Sequence, residues 1–120
     1  MKLTELATFT DNVTEMTKFY SNLLGSEPTY ANDDMAIFMV GETKIFLHKT
    51  YTPDEANGDL PPSNHVAFTV DNVDEAIAKM TGRGLTLERE PADYYWGRSA
   101  YLRDPDGQQI EITEVSKDSP

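Results

Sequence analysis

Four side chains in this sequence combine metal-ligand or proton-transfer chemistry with a strand-like setting: Glu5, His48, His65 and Glu111. Side chains alternate across a strand, so residues two apart share a face. In residues 64–70, Val66, Phe68 and Val70 form an apolar face, which leaves His65, Ala67 and Thr69 opposite. In 108–115, Ile110 and Ile112 belong to a buried face, and Gln109, Glu111 and Thr113 point the other way. In 43–49, Ile45 and Leu47 read as core while Phe46 and His48 face away from it. An internal repeat, set out below, pairs Leu6 with Val66, so Glu5, Ala7 and Phe9 share the face of His65. Carboxylate oxygen and neutral imidazole nitrogen suit Fe(II), Mn(II), Ni(II), Zn(II) or Co(II). Two or three such ligands leave positions open for water or a bidentate oxygen substrate, and the ion then works as a Lewis acid on a carbonyl or enolate. Glu111 and His48 are the candidates for moving a proton. The alternative for each is plainer: a solvated strand carboxylate, or a hydrogen-bonded structural histidine. Convergence favours the ligand reading, because two carboxylates and one or two histidines on one face need water, a cation or a ligand to neutralise them.

The segment Pro91–Tyr101 carries the only Trp and several tyrosines beside Gly97 and Arg98. Trp96, Tyr95 and Tyr101, with Phe9 and Phe46, are candidate walls for a substrate. Arg98 could hold a carboxylate or phosphate in a bidentate fork. A subunit contact or core packing is the alternative, since Tyr and Trp are enriched at interfaces.

The elements that position these residues repeat. Glu5–Glu15 set above His65–Glu75, offset by sixty residues without a gap, aligns Ala7 with Ala67, Asp11 with Asp71, Asn12 with Asn72, Val13 with Val73 and Glu15 with Glu75. Each copy reads as strand, turn and helix start. Asn12 and Asn72 are placed to cap, and Glu15 and Glu75 sit where a capping-box carboxylate belongs. Val13, Met16, Phe19, Tyr20, Leu23 and Leu24 form an apolar stripe at helical spacing, with Gly25 as a left-handed stop. Val73, Ala76, Ile77 and Met80 repeat the stripe, and Gly82 is expected to end it. Strands are expected at 27–31, 35–40 and 43–49, then at 85–90, 98–103 and 108–115. Gly41-Glu42 and Pro105-Asp106-Gly107 supply turns. The fold class is α+β, two βαβββ modules forming a curved mixed sheet: 1–50 the first, 51–63 a linker rich in Pro, Asp, Asn and Gly, 64–116 the second, and 117–120 a tail.

Composition bounds the partners. With 21 acidic against 10 basic residues the net charge is −11, which repels phosphate backbones and argues against nucleic acid and anionic membranes. The sequence has no Cys, so disulfides and thiolate metal sites are excluded. The opening residues lack the apolar run of a signal peptide, and a cytoplasmic location is the expectation.

At this point the residues resemble a family. Asn64–Val70, Asp71–Ala76 and Tyr101–Glu111, which contains Asp104-Pro105-Asp106-Gly107, look like the second half of a vicinal oxygen chelate protein, the superfamily of glyoxalases, bleomycin resistance proteins and extradiol dioxygenases. Phe19–Gly25 is similar to the end of that family's first helix. The resemblance implies a barrel-like sheet closed by dimerisation, a small-molecule ligand, and one divalent metal ion on cavity-facing residues. His65 and Glu111 match the family's ligand positions. Glu5 stands where His or Gln is usual. The remaining ligand position falls on Phe46, which cannot bind metal, so His48, two residues on, is the possible fourth ligand. The implied activity is that of a metal-dependent lyase or isomerase. A metal-free, ligand-sequestering protein and an extradiol-type dioxygenase are the alternatives, and a dimeric interaction module is a third.

Overall fold

A computed structural model describes residues 1–115, so the end of the expected second module at 116 and the 117–120 tail lie outside the described residues. The chain divides into two compact units: Glu5–Asn64, and Met1–Thr4 together with His65 onward. No helix of the described residues is long and apolar enough to cross a membrane.

The Glu5–Asn64 unit contains most of β1 (Lys2–Thr10), then α1 (Val13–Leu24), β2 (Tyr30–Ala31), β3 (Met35–Val40) and β4 (Thr43–Lys49). Its strands lie in the order β2-β3-β4-β1, with β1 and β4 parallel and the other pairs antiparallel. Met16, Tyr20 and Leu24 of α1, with Ile45, pack on buried Ala36, Phe38 and Leu47. These residues recur at helical spacing, and that is why the segment coils. The expected stripe is wider than the buried one: Phe19 and Leu23 are exposed. Gly25, at φ 66°, ends α1 as expected, and its N–H donates to the Ser21 carbonyl. Asn12 gives α1 no side-chain cap; its own N–H donates to Thr10 Oγ1 at 3.0 Å. The strand expected at 27–31 shortens to Tyr30–Ala31, beyond Pro28, which has no N–H for a ladder. The 51–63 segment holds a 3-10 turn, Glu55–Asn57, and Tyr51 Oη donates to the Leu60 carbonyl at 2.6 Å.

The second unit repeats the pattern with β5 (His65–Thr69), α2 (Val73–Gly82), β6 (Leu87–Tyr94), β7 (Gly97–Arg103) and β8 (Gln109–Val115). Its strand order, β5-β8-β7-β6, is the first unit's order moved along the chain, again with one parallel pair, β5 and β8. Residues 2–4 of β1 belong here, where Thr4 Oγ1 lies 2.9 Å from Thr69 Oγ1. Val73, Ile77 and Met80 of α2 pack on Ala100, Leu102 and Ile112, joined by Phe68, Val70 and Ile110. Asn72 caps α2, its side chain accepting from Glu75 N at 3.0 Å. Gly82 is helical rather than the stop; Arg83 caps, and the left-handed turn falls on Gly84 at φ 96°. Strand β6 runs on to Tyr94, through Pro91, beyond the expected end at 90. Two features permit this: β6 is the last strand in the order, and its register shifts between Arg89 and Ala92. Asp104 Oδ1 accepts from Asp106 N at 3.0 Å and Gln108 N at 2.8 Å, so one carboxylate shapes the β7–β8 turn.

On the helix side of this sheet, Arg98 donates Nε to Asp74 Oδ2 at 2.8 Å and Nη2 to Oδ1 at 3.1 Å, while Nη1 reaches Asp93 at 3.1 Å. The Arg98 hydrogen bond holds the Asp74 carboxyl below its ordinary value of 3.8. A depressed carboxyl contributes stability above its unfolded pKa and loses it as pH falls through the folded one. R98A is therefore expected to be less stable than wild type at neutral pH in urea denaturation, with the gap closing once pH drops below 3.8 and Asp74 protonates. In the other unit Leu47 is fully buried, and L47A should cost about 2–5 kcal/mol, read as a lower urea midpoint with an unchanged slope.

Candidate metal centre

Strand β8 lies between β5 and β7, and this sandwiching builds the site. The register sets Glu111 opposite Ala67 on one side and Tyr101 on the other, while Ser99 faces Thr113. Pleating sends Ala100, Leu102 and Ile112 to α2, and Ser99, Tyr101 and Glu111 to the opposite face. Glu111 is buried, 5% exposed, and Ser99 and Tyr101 are buried beside it. A buried carboxylate is tolerable only when hydrogen-bonded. Its Oε2 accepts from Ser99 Oγ at 2.8 Å, Tyr101 Oη at 3.0 Å and Trp96 Nε1 at 3.2 Å. Ser99 Oγ is itself 2.7 Å from Thr113 Oγ1 and accepts from Trp96 Nε1 at 3.0 Å. The other oxygen, Oε1, stands 3.5 Å from His65 Nε2.

That spacing can be tested against a metal. With metal–donor bonds of about 2.0–2.1 Å, two donors on one tetrahedral ion sit about 3.4 Å apart. His65 Nε2 and Glu111 Oε1 meet this condition, and a nitrogen–oxygen donor pair suits a first-row divalent ion.

In the Glu5–Asn64 unit, Glu5 lies in register with Lys44, and the ammonium is 3.4 Å from Glu5 Oε1. Glu5 is the repeat counterpart of His65, and both stand in the parallel ladder of their own unit. The counterpart of Glu111 is Phe46, which faces Ala7 as Glu111 faces Ala67. His48 lies among rings: Phe46 at 5.6 Å, Phe9 at 5.8 Å and Tyr51 at 6.2 Å between centroids. Its Nδ1 is 2.7 Å from the Lys49 carbonyl. A carbonyl only accepts, so Nδ1 carries a proton, and of the two neutral tautomers this contact selects the one whose lone pair is on Nε2.

The remaining expected site residues separate. Tyr101 and Trp96 join the Glu111 network as hydrogen-bond donors. Tyr95 projects from the β6–β7 turn, 95% exposed, with its ring edge against Trp96. Arg98 lies on the other side of the sheet from Glu111, its fork taken by Asp74 and Asp93, because even-numbered residues of β7 face the helix. Sequence reasoning missed Ser99, and gave Thr113 the face of Glu111 but no role. A hairpin centred on Asp106 pairs residues whose numbers are equally distant from it, which sets Tyr101 against Glu111 and Ser99 against Thr113, and that count was the available signal.

Residues 2–112 match the model of the Glyoxalase/Bleomycin resistance protein/Dioxygenase superfamily. The chain belongs to this superfamily. Among its relatives are a lactoylglutathione lyase of Salmonella typhimurium, 29% identical over 81% of this chain and 80% of the relative, and biphenyl-2,3-diol 1,2-dioxygenase 3 of Rhodococcus globerulus, 27% identical over 86% of this chain and 57% of the relative. A lactoylglutathione lyase of Schizosaccharomyces pombe is 31% identical over 57% of this chain and 24% of its own length. The chain thus spans about a quarter of the yeast enzyme and little more than half of the dioxygenase. Among solved structures, a hypothetical protein of Bacillus halodurans superposes with a TM-score of 0.70 at 18% identity, covering 99% of this chain and 97% of that one. A methylmalonyl-CoA epimerase of Streptomyces coelicolor gives 0.68 at 19%, covering 100% and 99%. At these identities the structural likenesses show the superfamily's fold and no more.

The His48 tautomer is directly observable. Long-range proton–nitrogen NMR correlations of the neutral ring should show Nδ1 protonated and Nε2 bare; the opposite tautomer would mean that the Lys49 carbonyl does not hold the ring in solution.

Proposed function

We propose that this member of the superfamily is a divalent-metal-dependent lyase or isomerase, whose small-molecule substrate chelates the ion through vicinal oxygens, with His65 and Glu111 as ligands. The observation that carries the reading is the 3.5 Å approach of His65 Nε2 to Glu111 Oε1 inside a buried hydrogen-bond network. The lyase assignment draws on the Salmonella relative, which matches four fifths of both chains. When bound, such an ion would polarise a substrate carbonyl and offer open positions to two oxygens.

The chain's own residues divide the remaining work. Glu111 contributes one oxygen and is braced on the other. His48, within its own unit, is the group suited to proton transfer through Nε2, its ring steadied by the Lys49 carbonyl and by Phe9 and Phe46. The same reading takes a second copy of the chain as partner. Ligand sequestration without metal is the second reading, and the aromatic surroundings of His48 favour it if the ion is absent.

Metal content decides between them. Purified protein titrated with Co(II), Zn(II), Ni(II), Mn(II) or Fe(II) should bind close to one equivalent by calorimetry and elemental analysis, and H65A should weaken binding by at least about a hundredfold. Wild type that takes up no stoichiometric ion would remove the metal reading and leave sequestration.

A further inference from the structure

Glu111 treats its two oxygens unequally, and the difference assigns roles to three residues outside the ligand set. Oε2 accepts from Ser99, Tyr101 and Trp96 at 2.8, 3.0 and 3.2 Å. A carboxylate oxygen has about two in-plane lone pairs, so three donors leave no room on Oε2 for an ion. Oε1 is the oxygen turned to His65. The donors come from a rigid platform. Tyr101 and Ser99 lie on β7, in register with Glu111 and its neighbour Thr113. Trp96 lies in the β6–β7 turn, its ring stacked on Tyr94 at 4.6 Å. Ser99 is fully buried, Tyr101 3% exposed, and the cluster leaves no buried side-chain polar atom unpartnered among the described residues.

We infer that Ser99, Tyr101 and Trp96 are positioning residues that restrict Glu111 to one-oxygen ligation through Oε1. The inference rests on the metal reading above and deepens it. One-oxygen ligation narrows the ions the centre accepts. Calcium seeks six to eight oxygens and uses bidentate carboxylates, whereas a single carboxylate oxygen with an imidazole nitrogen suits a smaller first-row ion. The platform therefore selects the ion by withholding an oxygen, without touching the ion or the substrate.

The test uses Co(II), whose visible absorption reports coordination, and Ca(II), each titrated into wild type, S99A, Y101F and W96F. Wild type should bind Co(II) and be indifferent to Ca(II). Each variant should bind Co(II) about 10–100-fold more weakly, the range typical of losing a group bonded behind a metal ligand, with an altered absorption spectrum as Oε2 is released. W96F, at a partly exposed position, keeps the test open should S99A or Y101F fail to fold. Variants that lose apo-protein thermal stability but keep wild-type Co(II) affinity and spectrum would show a purely structural role and overturn the inference, while leaving the metal reading standing. Wild type that binds no Co(II) would overturn both.

Discussion

A carboxylate removed from water has to be solvated by the protein, and in the His65 unit that requirement reaches well beyond Glu111. Three neutral donors must converge on one oxygen, and they come from a hairpin strand and the turn before it. Register then matters more than any single bond. A slip of one residue between β7 and β8 would bring Ala100 or Leu102 opposite Glu111 and send Ser99 and Tyr101 to the helix side. The apolar cluster on the other face prevents this, since Ala100, Leu102 and Ile112 must stay beneath Val73, Ile77 and Met80. The Asp104 carboxylate fixes the same hairpin at its turn. Core packing and site geometry are thus two sides of one pleat, each enforcing the other.

The same parity explains what the sequence disclosed. Alternation alone separates His65 and Glu111 from Ile110 and Ile112, and Phe46 and His48 from Ile45 and Leu47, and the structure places each on its expected side within its unit. The repeat was visible because its identical residues cluster at the strand–helix junction, where a capping Asn and a first-turn Glu are demanded locally. Yet equal sequence did not give equal structure: Asn72 caps and Asn12 does not, because Asn12 has a backbone at φ −118°, ψ 49° with its N–H held by Thr10. Capping needs a local conformation as well as a residue type.

What stayed hidden was decided by context. The strand expected at 85–90 stops short of Pro91, and the irregular register of an edge strand lets β6 pass through it. Arg98 reads as a free anion clamp among aromatics, but its face follows from β7 parity and its partners come from α2 and β6. Tyr101 and Trp96 read as substrate walls by their rings, whereas their polar atoms are already committed to Glu111. Phe19 and Leu23 fit the helical stripe, but a twelve-residue helix beside a small sheet buries only part of it. In each case the residue type was informative and the tertiary partner supplied the meaning.

Comparing the two units position by position shows how one ladder can serve two chemistries. Where the second has His65, Glu111 and Thr113, the first has Glu5, Phe46 and His48, at matching places beside a parallel neighbour strand. The second unit's set forms a polar network around a buried carboxylate. The first unit's set surrounds an imidazole with rings and sets a lysine beside Glu5. The apolar side changes far less, with Leu6 and Val66, Ile45 and Ile110, Leu47 and Ile112 in corresponding positions. Because pleating isolates the two sides, one can diverge residue by residue while the other keeps the fold. That separation lets a duplicated βαβββ unit carry a polar, carboxylate-centred face in one half and an aromatic, imidazole-centred face in the other within a single chain.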